Sequence, residues 1–200
     1  MGPGATAGSY AFEACTVIRS SPADLLPWLV TPDLMRRWMV RVGAIDELPG
    51  PARGRGARTR LTTGWTPYLF SFLGELVDAD ERGVSRRYQL VSSGRVVPIR
   101  HLPAEYERVV RYRLEAGTAG TAGIAGIAGT AGTAGAAGTR VTCAVVTTIP
   151  GLAPAAARSG GRHEARSLAL SLRRLRQLVE TGSIALPTRL RSRRVSGQPL

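Results

Sequence analysis

Two hundred residues with 44% hydrophobic content suffice for one domain with its own core and do not require a second. The formal charge of +13 is carried entirely by arginine, because the chain has no lysine, no asparagine and abundant alanine and glycine; this high-GC bias weakens any inference from basicity to a selected nucleic-acid role. Cys15 and Cys143 cannot build a disulfide framework and have no histidine at metal-ligand spacing, so no metal or cofactor is expected; no stretch approaches the roughly 20 apolar residues of a membrane span.

Residues 1–8 lack the basic-then-apolar pattern of a secretory signal, which predicts a disordered N-terminus and a cytoplasmic protein. From Ser9 to Arg19 the chain alternates as a strand, with Phe12, Ala14, Thr16 and Ile18 on one side and Glu13 on the other. SSPADLLPWLV then supplies Ser21 as an N-cap, Pro22 at the first helical position and Asp24 in the first turn. TPDLMRRWM repeats that signal from Thr31, so two consecutive short helices follow, burying Trp28, Leu34, Met35 and Trp38.

Six further strands are predicted at Val40 to Leu48, Arg58 to Thr63, Tyr68 to Asp78, Val84 to Ser93, Glu105 to Glu115 and Thr139 to Ile149. Turn signals lie between them, at PGPARGRG, DADERG and the SGRVVPIRHLPA connection. Parallel pairs would need crossovers of a dozen or more residues, so these short connections predict a curved antiparallel meander. Alternation assigns Tyr106, Arg108, Val110, Tyr112 and Leu114 to the inner face of their strand. By the same parity Val84, Arg86, Tyr88 and Leu90 face inward, as do Val141, Cys143, Val145 and Thr147.

Residues 117–138 form a Gly-Thr-Ala and Gly-Ile-Ala triplet tract where a hairpin connection belongs. It has no proline and too little surface to offset its ordering entropy, which predicts a flexible insertion. Arg162 to Thr181 is the one long helical pattern, with Ala165, Leu168, Leu172, Leu175 and Val179 in a single stripe. Ser159 and the following glycines are its predicted start, Gly182 its stop; Glu164 and Ser171 edge the stripe, either as an ordinary half-exposed border or in contact with something polar beside the core. Residues 183–200 carry Arg189, Arg191, Arg193 and Arg194 without apolar periodicity and read as a disordered basic tail.

The domain thus spans residues 9–182, and its order of elements resembles the START-like, Bet v 1-like superfamily, which includes polyketide cyclase/dehydrase and lipid-transport proteins. The SSPADLLPWLVTPDLMRRWM block is similar to that family's entry into its helices, and GTRVT at 138–142 to the start of its last strand. The resemblance implies an α+β helix-grip fold, in which a curved sheet of about seven strands grips the C-terminal helix around a cavity for a small hydrophobic or aromatic ligand.

Arg86, Tyr88, Tyr106, Arg108 and Tyr112 share the predicted inner face, with Leu168 and Leu172 opposite them on the helix. An arginine there must pair, meet a ligand's carbonyl, phenolate or carboxylate, or snorkel to solvent. His101, in a proline-flanked loop, either borders the pocket mouth as a general acid or base or is a loop histidine without a role. No GxSxG elbow accompanies the two histidines. The leading reading is a binder or carrier of a lipid- or polyketide-like ligand. A cyclase or dehydratase is the alternative, and an arginine-rich polyanion binder a weaker one, since no RRM-type motif marks specific nucleic-acid recognition.

Overall fold

Ten elements occur in the predicted order in the computed structural model, which describes residues 7–51, 54–65, 68–93, 106–117, 138–150 and 154–183. Strand β1 (Ala7–Ile18) leads into helices α1 (Pro22–Val30) and α2 (Pro32–Trp38). Strands β2 (Val42–Glu47), β3 (Arg58–Trp65), β4 (Tyr68–Asp80), β5 (Gly83–Ser93), β6 (Glu107–Gly117) and β7 (Gly138–Pro150) follow, and α3 (Pro154–Thr181) closes the domain. The sheet order is β1-β7-β6-β5-β4-β3-β2, so the antiparallel meander is complete and β1 adds to its far edge against β7. Register shifts at Val42/Ala44, Ser71/Phe72 and Leu76/Asp78 insert unpaired residues that bend and twist the strands.

Strand parity sorts the faces as the sequence predicts. Ile18, Val84, Arg86, Tyr88, Val110, Tyr112, Leu114, Val141, Cys143 and Val145 are all buried, whereas Glu13 and Cys15 are exposed on the outer side. Met35 and Trp38 are buried as expected; Trp28 and Leu34 are only half-buried. The half-burial of Trp28 has a cause, since it spans the α1–α2 corner: its carbonyl accepts from Trp38 Nε1 at 2.9 Å, and its ring lies 5.5 Å from the Arg37 guanidinium carbon.

Local caps fix the helices. Ser21 Oγ accepts from the Asp24 N–H at 3.2 Å, as the N-cap signal predicts, while Thr31 occupies the second cap position without a side-chain bond. Helix α3 ends where predicted: Gly182, at φ +70°, donates its N–H to Leu178 O at 2.9 Å. Its start differs, because the helix begins at Pro154 and runs through Ser159, Gly160 and Gly161 instead of beginning after them. Pro154 fits the first turn and Ala155–Ala157 are strong helix formers, which offsets the two glycines.

Three polar ties set α3 and the short helices over the sheet. Ser171, buried within α3, accepts from the Val40 N–H at 3.0 Å and donates to Ser167 O at 2.9 Å. Thr139, fully buried, donates to Ser20 O at 2.6 Å. Glu180 accepts from the Arg19 N–H at 3.0 Å and from Arg176 Nε at 3.2 Å, fastening the last turn of α3 to the chain after β1. Leu172, Leu175 and Leu178 complete the core beneath the helix, with Leu168 and Val179 packed beside them. No helix among the described residues is long and apolar enough to cross a membrane.

Candidate functional site

The inner face of β5 and β6 carries the polar side chains predicted for a site, in neighbouring cross-strand rows. Tyr88 is paired with Arg108, Arg86 with Val110, and Val84 with Tyr112. On the next strand Thr147 pairs with Arg108 and Cys143 with Tyr112. Consequently Arg86, Tyr88, Arg108 and Tyr112 occupy one contiguous area, and Tyr106, just before β6, extends it toward Phe72, 5.2 Å away between ring centroids. Leu172 is buried on α3 and Leu168 half-buried. His101 lies outside the described residues, as do residues 118–137 of the triplet tract and the tail beyond Ser183.

Two arginines on this face have different fates. Arg108 reaches across to α3, where Nη2 donates to Glu164 Oε1 at 2.5 Å and Nε donates to Thr147 Oγ1 at 3.2 Å; its guanidinium carbon also lies 5.5 Å from the Tyr106 ring centroid. Of the two readings of Glu164, the polar contact is the one seen: the stripe edge that holds it is half-exposed and meets a cation on the sheet. Arg86 is 1% exposed, and its Nη2 donates to Val30 O, the last carbonyl of α1, at 2.8 Å. A cation at a helix C-terminus is favourably placed. Its Nε and Nη1 have no hydrogen-bond partner among the described residues. Taking a charge out of water costs several kcal/mol unless paired, so among the described residues this guanidinium is a poorly compensated buried charge.

The tyrosines stay protonated. Burial pushes the hydroxyls of Tyr88, Tyr106 and Tyr112 above the ordinary tyrosine value, with Arg86 pulling the other way at Tyr88 and Arg108 at Tyr106. Burial likewise pushes the Cys143 thiol to about 12, so it is a neutral packing group and not a thiolate nucleophile. At neutral pH the inner face therefore offers hydroxyl donors and guanidinium charge, suited to orienting ligand oxygens.

Tyr10 belongs to this constellation and was missed, although it shares the parity of Phe12. Burial also raises its hydroxyl pKa, and Glu164, Arg108 and Thr147 are its electrostatic neighbours. Gly161 of α3 admits its ring: a Cβ there would lie 3.3 Å from Tyr10 Cδ2. Gly74 of β4 does the same for Tyr88, whose Cε1 would be only 2.7 Å from an added Cβ. No group of three or more metal-ligating side chains occurs among the described residues.

The outer face of the sheet bears an open groove of about 380 Å³, lined by Glu13, Asp78, Asp80, Arg82, Arg111 and Arg113 among others. Its mixed charges suit solvent and not an apolar molecule, so the inner face is the better candidate.

Neither a protein-family model nor a curated relative matches this sequence. Solved structures match its shape. Ara h 8.0201, a Bet v 1 homologue, superposes with a TM-score of 0.55 at 16% identity, covering 87% of this chain and 99% of its own. An uncharacterized protein from Rhizobium leguminosarum gives a TM-score of 0.52 at 15% identity, covering 88% of this chain and 97% of its own. With the seven-stranded antiparallel sheet and terminal helix, these matches establish a Bet v 1-like helix-grip fold.

Proposed function

We propose, starting from this helix-grip fold, that the protein binds or carries a small hydrophobic or aromatic molecule, lipid- or polyketide-like, between the inner face of the sheet and α3. The observation that carries the reading is the gathering of Arg86, Tyr88, Tyr106 and Tyr112 on the concave face, all buried, where a purely structural core would place aliphatic side chains. Leu168 and Leu172 supply apolar surface opposite them. A few convergent polar groups within an apolar lining are the usual composition of a small-molecule site. Native mass spectrometry of protein purified without denaturation tests this: a bound small molecule released by organic extraction is expected. A ligand-free protein with an interior filled solidly by its own side chains would overturn it.

A second reading, a cyclase or dehydratase acting on a polyketide-like substrate, draws support from the convergence of Tyr10, Tyr106, Arg108, Thr147 and Glu164 at the helix–sheet seam. With its hydroxyl protonated, Tyr106 would act there as a proton donor and not as a base. Turnover of a bound polyketone by the native protein but not by Tyr106→Phe would favour the enzyme over the carrier.

A further inference from the structure

Arg86 is a permanent charge for which the described chain provides one neutral acceptor and no counter-ion. Its Nη2 is used by Val30 O, while Nε and Nη1 are buried and unpartnered among the described residues. The strand neighbours directly across from it are Val110 and Leu76, neither of which can accept a hydrogen bond through its side chain. The nearby hydroxyls of Tyr88 and Tyr112 are uncharged. Among the described carboxylates Glu107, Glu164 and Glu180 are the partly buried ones, and each is paired with a different arginine, Arg87, Arg108 and Arg176 respectively. Nothing in this inventory neutralises Arg86.

From this imbalance we infer that Arg86 is the anchor for an anionic ligand: the bound molecule is an aromatic or aliphatic carboxylic acid whose carboxylate meets the unused N–H groups of Arg86. A carboxylate fits better than an alcohol, amide or phenol because it supplies formal negative charge at neutral pH as well as acceptor lone pairs. Arginine fits the task better than lysine would, because its charge survives burial and its several donors serve the α1 carbonyl and the ligand together. The bond to Val30 O also fixes the guanidinium before the ligand arrives, so little side-chain entropy is lost on binding.

This inference rests on the ligand-binding reading, and one titration series separates the two. Isothermal titration calorimetry on the full chain compares 2-naphthoate with its methyl ester, which has nearly the same shape and apolar area but no charge. The native protein should bind the carboxylate at least about tenfold more tightly than the ester. Arg86→Met should abolish that preference, and Arg86→Lys should restore part of it. Equal binding of acid and ester by the native protein would overturn the anchor and leave the apolar-ligand reading standing. Failure of both probes to bind would overturn both. The native comparison needs no variant, so it decides the question even if Arg86→Met does not fold.

Discussion

Arg108 on β6 and Glu164 on α3 meet across the helix–sheet seam, with Nη2 donating to Oε1 at 2.5 Å. The side chains are 22% and 30% exposed, so solvent screens the pair and its worth lies nearer that of a surface bridge than of a buried one. A double-mutant cycle with Arg108→Met and Glu164→Gln should give a coupling of about 1 kcal/mol. Each single change should cost more than that, because it strands the other partner in a half-buried place. A coupling near zero would show that this pair does not help to hold the seam.

Gly74 is required by the ring it faces. An added Cβ would lie 2.7 Å from Tyr88 Cε1 and 2.9 Å from Thr59 Oγ1, both buried, so one of them must move. Gly74→Ala should destabilise by about 1–3 kcal/mol, as overpacking at a close contact does. In a Tyr88→Ala background the same change should cost far less, which denaturant titration of the four proteins would reveal.

How much of this was legible in advance depended on distance along the chain. Parity alone placed Arg86, Tyr88, Tyr106, Arg108 and Tyr112 on the inner face, because the two-residue period of a strand is local information. The Arg108–Glu164 contact joins residues 56 apart, and it depends on where along the sheet α3 sits and how it is rotated. Neither follows from the apolar stripe, which fixes a face and not an axial position. Ser171 shows the same limit: its place at the stripe edge was readable, while its bond to the Val40 N–H required the α2–β2 connection to arrive there. The start of α3 was missed because Gly160 and Gly161 outweighed the helix-favouring Pro154–Ala157 in a local reading. Gly161 nonetheless has a place inside the helix, since it lies against the Tyr10 ring, where a Cβ would crowd it.

Glu180 should make stability pH-dependent in acid. Burial alone would raise its pKa, but the Arg19 N–H and the Arg176 guanidinium outweigh that and hold it below the ordinary value of 4.5. A depressed carboxyl contributes stability that is complete above its unfolded pKa and is lost as pH falls through its folded one. Glu180→Gln should therefore lower the melting temperature clearly at pH 7, by an amount corresponding to about 1 kcal/mol. The difference from the native protein should shrink steadily below about pH 4.5. A difference that stays constant down to pH 2 would rule out this account of the contact.

The two cysteines should behave as strangers. In the β1–β7 pairing Cys143 faces Ala14 while Cys15 faces Thr142, so their side chains leave opposite sides of the sheet. Mass spectrometry of non-reduced protein should find two free thiols. Iodoacetamide should modify exposed Cys15 quickly; buried Cys143, its thiol pushed to about 12, should react only as fast as the domain opens. A disulfide, or equal labelling of both, would mean the β1–β7 register is different.

Shortening the triplet tract should leave the domain at least as stable. Gly117 and Gly138 are paired at the ends of β6 and β7, so the two strands already meet without help from the residues between them. Closing a flexible loop costs entropy that rises only logarithmically with length, about 0.6 kcal/mol per doubling. Replacing residues 118–137 with Asn-Gly, a pair suited to a two-residue hairpin turn, should therefore be neutral or stabilising by up to about 2 kcal/mol. The denaturation midpoint should hold or rise with an unchanged slope, because little buried surface is removed. A large fall in midpoint, or a smaller slope, would mean instead that the tract packs against the domain and contributes surface to it.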